Sequence, residues 1–337
     1  MAHNINQMVY AGATPWHKLG TQLPGNGTWE DIRDAAGFYT AHAVPLSMPD
    51  GFQVPDRKAI VRGDTGAYLA TVSEGYQLLQ FEDLARAGVL ASQGVQAIWH
   101  TAGTLGETGA RGWMLAELPG RIHVRHDPSE IRKYVLLTTA HDGTAAAVLA
   151  NVATRVVCQN TLGAALRERA GSRWSIRHSR NAKERLENAA QAFALMSQEM
   201  ADFETLANVL VARPYTLQQH REAMDILLPL PKEDVKKKHP RIEADRREAS
   251  RLFSEFVGAA PGLVGTAYGA FQAWTEFSDH RKDSLSGMTS LSNKRTARRM
   301  LSATLGDGAV RKAKALSLLL KQTGTYARDA SALPALA

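Results

Sequence analysis

The chain has 337 residues, 44% hydrophobic and 22% charged, a balance too apolar for disorder and a length suited to roughly two domains. Its one cysteine, Cys158, excludes an internal disulfide and a multi-thiolate zinc site and points to a reducing, cytoplasmic setting. No stretch approaches the roughly 18 to 20 uninterrupted apolar residues of a membrane span, and residues 1–20 lack the ordered regions of a secretory leader.

In chain order, residues 1–55 read as an irregular arm, because Pro15, Pro24, Gly25, Gly27, Pro45, Pro49, Gly51 and Pro55 are turn formers, with one short helix at 29–36. Residues 56–178 read as an α+β core, an antiparallel β-sheet of hairpins with packed helices. Its first hairpin pairs "KAIVRG" with "AYLATVS" about Asp64-Thr65-Gly66, and the helix "FEDLARAGVLAS" follows, with Phe81, Leu84, Ala85, Val89 and Leu90 at helical spacing. A second hairpin joins "VQAIWHTA" to "RGWMLAEL" through Gly103, Gly106 and Gly109, and the strand "RIHVRH" precedes "KYVLLTTA". Asp142-Gly143 predicts a type I′ turn into "AAAVLANVATRVVCQ", and "NTLGAALRERA" reads as a helix capped by Asn160.

Residues 179–325 read as a mostly helical C-terminal region. Leu186, Phe193, Met200 and Ala207 recur every seven residues, with Ala189, Met196, Phe203 and Leu210 three later, so one long heptad-patterned helix is expected over 179–212. It pairs either with a helix at 241–257 of its own chain or with a second copy, which would make a homo-oligomer. Pro229, Pro231, Pro240 and Lys236–Lys238 mark a linker; Tyr268, Phe271, Trp274 and Phe277 form an aromatic stripe of core character; a short amphipathic helix covers 309–321; residues 326–337 form a frayed tail.

No catalytic, cofactor or metal motif stands out. His123, His126 and Asp127 have ligand chemistry, but strand alternation puts i and i+3 on opposite faces. His100 and His141 are isolated in sequence, Asp142 reads as turn chemistry, Cys158 as a small buried hydrophobe, and no phosphate-cradling glycine loop or paired acids are present. The pattern favours binding over catalysis. The positive signal is charge: residues 1–120 carry 7 Lys+Arg against 11 Asp+Glu, net −4, which leaves +11 for the remainder. Arg155 precedes a basic stretch with Arg167, Arg169, Arg173, Arg177 and Arg180 around Trp174. Guanidinium groups on phosphates with a ring for base faces suit single-stranded nucleic acid, with single-stranded DNA favoured as partner.

"VSEGYQLLQFED", "TTAHDGT", "ATRVVCQNTLGAAL" and "TAYGAFQAWTEFSDH", after an opening "TPWHKLG", resemble the phage/plasmid-like protein family that shares a domain of unknown function, over residues 8–320. The resemblance implies a mobile-element protein in the cytoplasm of a bacterial host. At fold level the hairpins followed by a helix also resemble the single-strand annealing superfamily, which pairs complementary strands without ATP. The expectation is a nucleic-acid-binding accessory of recombination; the alternative is an interaction or inhibitory factor that grips a host protein through the heptad helix and aromatic stripe, and third comes a nucleic-acid enzyme.

Overall fold

The computed structural model describes residues 5–11, 20–23, 29–93, 96–155, 173–230, 239–255, 260–281 and 307–325. The chain divides into two units, each discontinuous in sequence.

The first unit comprises residues 1–119, 134–150 and 173–197. Its strands are β1 (Ile5–Ala11), β2 (Thr21–Leu23), β3 (Ala41–Ser47), β4 (Gln53–Arg62), β5 (Tyr68–Ser73), β6 (Ile98–Leu105), most of β7 (Arg111–Ile122), parts of β8 (Ile131–Ala140) and β9 (Ala147–Arg155), and β10 (Arg173–Ile176). Seven strands form one sheet in the order β10-β9-β8-β7-β6-β1-β2, and β3-β4-β5 form a second. The pairs β1–β6, β6–β7, β9–β10, β3–β4 and β4–β5 are antiparallel, and β1–β2 is parallel. Helices α1 (Trp29–Ala36), α2 (Phe81–Gln93) and α3 (Ala182–Glu187) complete the unit with the start of α4 (Ala189–Val211). Phe38, Ile60, Leu79, Phe81, Leu84, Met114, Leu137, Leu149 and Leu186 share its core. Gly112 is required there, because a Cβ at that position would stand 2.5 Å from the Phe81 ring.

The second unit comprises residues 120–133, 151–172 and 198–337. The remainder of α4 meets α5 (Leu217–Leu227), α6 (Pro240–Ser254), α7 (Ala267–Glu276) with a π-helical turn at Phe277–Arg281, and α8 (Asp307–Gln322). Met200, Phe203, Ala207 and Leu210 of α4 pack in one core with Leu252, Phe253, Leu263 and the whole aromatic stripe, which is at most 1% exposed. Inside this apolar interior Lys312 Nζ donates to Asp279 Oδ1 at 2.7 Å, a charge-assisted bond that offsets the desolvation of both groups.

The α+β class and the helical C-terminal region agree with the sequence, while several details differ. The short helix expected at 29–36 is α1, but the opening segment is not otherwise irregular, since β1, β2 and β3 fall within it. Pro45 is tolerated because β3 is an edge strand, where a missing N–H can face away from the ladder, and the pairing shifts register after it. "RIHVRH" is not a separate strand: β7 continues through Pro119-Gly120 to Ile122, and His123 leads into the connection to β8. The β8–β9 connection spans residues 141–146 rather than a two-residue turn. The heptad segment is not one helix, because α3 and α4 are separated at Asn188. The expected helix after Asn160, Cys158, the Lys236–Lys238 linker and the tail at 326–337 lie outside the described residues.

Candidate functional site

Two of the words that carry the resemblance meet in the first unit. Segment 74–80 leaves β5 without regular structure and enters α2, where Asp83 Oδ2 accepts from the Gln80 amide at 2.9 Å. Gln80 also stands in for a strand neighbour, since its side chain accepts from Ala41 N (3.0 Å) and donates to Ala41 O (2.9 Å). Two histidines hold the remainder of this segment. His141 Nε2 lies 3.0 Å from Leu79 O, and His178 Nδ1 lies 2.9 Å from Gln77 O while the Gln77 amide donates to His178 O at 3.0 Å.

A carbonyl only accepts, so these contacts set the tautomers. His141 carries its proton on Nε2 and leaves Nδ1 bare; His178 carries its proton on Nδ1 and presents Nε2 to Thr139 Oγ1 at 3.4 Å. His141 is fully buried and stacks on Phe81 at 3.9 Å with Tyr39 edge-on at 5.4 Å. Burial pushes its imidazole down to about 4, against the pull of the Leu79 carbonyl. Burial also raises the Tyr39 phenol, although the Arg62 guanidinium lies 3.9 Å over its ring and opposes the shift. Arg62 is held by both oxygens of Asp64, at 2.9 and 2.6 Å, and the Asp64 carboxyl is lowered to about 2, chiefly by that hydrogen bond.

Tyr76 and His178 form the more open part of the cluster. Their rings stack at 4.6 Å with an 11° interplanar angle, both half-buried, and Tyr76 Oη donates to Ala140 O at 3.2 Å. Asp142 follows His141, and its Oδ1 accepts from the Thr144 amide at 3.0 Å, the self-capping turn expected from the sequence. Exposed Arg177 and Arg180 flank His178 in the chain.

The sequence-derived binding residues are placed as follows. Trp174 lies on β10 opposite Leu149, half-buried and packed against the unit's core. Arg177 and Arg180 are exposed and make no ion pair among the described residues, whereas the nearby Lys183 pairs with Asp83 at 3.4 Å and Arg185 donates to Ser175 O at 3.4 Å. Arg155 and Arg173 are placed as backbone, at the end of β9 and the start of β10. Their side chains, and Arg167 and Arg169 altogether, lie outside the described residues. Composition and spacing missed the contacts of Tyr39, Tyr76 and His178; the one available signal was that "VSEGYQLLQFED" and "TTAHDGT" were both distinctive words. Among the described residues no group of three His, Cys, Asp or Glu side chains could hold a metal ion, and no helix is long and apolar enough to cross a membrane.

A family model, the domain of unknown function DUF932, matches residues 68–317. That span contains Tyr76, His141, Asp142, Trp174, Arg177, His178 and Arg180. No curated protein and no solved structure matches the chain.

Proposed function

Because the chain belongs to the DUF932 family, whose description assigns no chemistry, we propose a function from the physics of the site: a nucleic-acid-binding protein that favours single strands, acting as an ATP-independent annealing or recombination accessory of a phage or plasmid. The observation that carries this reading is the pair of exposed, unneutralised cations Arg177 and Arg180 beside the half-buried Tyr76–His178 stack. A single strand offers phosphates to the guanidinium groups and unpaired base faces to the rings, and stacking contributes about 1 to 3 kcal/mol per base. Supporting it is the wider composition, seven Lys or Arg between Arg167 and Arg185 against Glu168 and Glu184. Counterion release from such contacts makes binding salt-dependent.

The reading is tested by fluorescence anisotropy of a labelled single-stranded oligonucleotide with the full chain and with an Arg177→Glu/Arg180→Glu variant. Loss of most affinity in the charge-reversed variant, at unchanged circular dichroism, is the expected result. Equal binding by the two proteins would overturn the assignment of this site. For the alternative of a host-protein grip through the heptad helix and the aromatic stripe, Tyr268, Phe271, Trp274, Phe277 and Phe203 are buried, which disfavours the stripe as its surface, whereas the side chain of Phe193 on the heptad helix lies outside the described residues.

A further inference from the structure

The two histidines of the cluster differ in one respect that bears on regulation. His141 Nδ1 is buried without a hydrogen-bond partner among the described residues, so a proton there would create an orphaned donor. His178 has an acceptor ready for each nitrogen. Nδ1 already faces Gln77 O, and on the other side stand the Thr139 hydroxyl, which can accept as readily as it donates, and the Ala145 backbone, which favours the charged ring.

We propose that His178 is a proton-operated regulator of the nucleic-acid interface: the neutral ring leaves Arg177 and Arg180 as the cations next to it in the chain, and uptake of one proton adds a third positive charge that strengthens the hold on a phosphate. This inference rests on the nucleic-acid reading above. The surroundings of the ring define the response. The Tyr76 ring stacked at 4.6 Å favours an imidazolium through its π face, and the Asp142 carboxylate attracts it. Opposing it is burial, the largest influence, which lowers His178 below its ordinary value. The neighbouring His141 stays neutral, because its own imidazole titrates only at about 4. A bound phosphate attracts the charge that the ring gains, so proton uptake and strand binding favour one another reciprocally.

The test measures the affinity of the full chain for labelled oligothymidylate, whose bases do not titrate in this range, at about pH 8 and about pH 5.5 and constant ionic strength. The expected result is roughly five- to tenfold tighter binding at the lower pH, the span of up to one unit in the His178 pKa on binding. His178→Gln, which keeps hydrogen-bonding capacity but takes up no proton, should bind like the parent at the higher pH and show no such gain. Should that variant misfold, the His178 ring resonance of the parent protein is titrated by NMR with and without oligonucleotide, and a rise in its pKa on binding is expected. Binding that ignores pH, a His178→Gln chain with the full pH response, or an unmoved ring pKa overturns this inference and leaves the nucleic-acid reading standing. Absence of binding at both pH values overturns both.

Discussion

His141 shows how a single side chain can couple stability to acid. Its ring is shut inside the first unit against Phe81 and Leu79 O, and its folded-state value near 4 lies well below the usual 6.5. As pH falls through about 6.5 the unfolded chain takes up a proton that the folded chain refuses until about 4. Stability is therefore full above the upper value, declines between the two and levels off below the lower one. Denaturant unfolding across this window should show His141 contributing a loss of about 3 kcal/mol, and a His141→Gln chain should have a shallower slope by that amount. An identical slope in the two proteins would contradict the buried, neutral assignment. Buried His220 of the second unit, also lowered to about 4, adds a loss that the variant does not remove. At this scale legibility followed sequence distance. The Asp142 self-capping turn was readable because its partner is two residues away, whereas the Leu79 partner of His141 is 62 residues away, and nothing local in "TTAHDGT" announces it.

Among elements, the heptad stretch is the instructive case. Its seven-residue repeat runs on through Asn188, where the helix breaks and the Asn188 side chain donates to Glu184 O. Leu186 before the break is part of the first core, whereas Met200, Phe203, Ala207 and Leu210 belong to the second. A periodic apolar pattern reports that each position faces something apolar, and it does not say that all face the same partner. The aromatic stripe was readable for the complementary reason, since α7 is buried on every side and its sequence is mostly apolar. Helix α5 begins with a full capping box, in which Thr216 and Gln219 satisfy one another's backbone amides. Thr216→Ala should lower the unfolding free energy by about 1 kcal/mol in denaturant titrations, and no change would mean that the helix start is held by packing alone. β3 stayed hidden because Pro45 and Pro49 read as turn formers, and only the strand order shows β3 to be an edge.

For the molecule as a whole, the family span of residues 68–317 enters both units, each of which gathers segments distant in sequence. Such discontinuity is illegible in a linear pass, because neither composition nor periodicity marks where β7, β8 and β9 leave one unit and enter the other. Charge asymmetry was legible, with −4 in the first 120 residues and +11 in the remainder. It motivates the central claim, that exposed arginines after β10 and the Tyr76–His178 rings hold single-stranded nucleic acid. The most direct measurement is affinity for a single strand and for the duplex of equal length at several salt concentrations. The single strand should bind more tightly, with log affinity falling linearly in log salt at a slope of about −1.4 or steeper, as two or more neutralised phosphates require. Affinity that is undetectable, indifferent to salt, or greater for the duplex would contradict it.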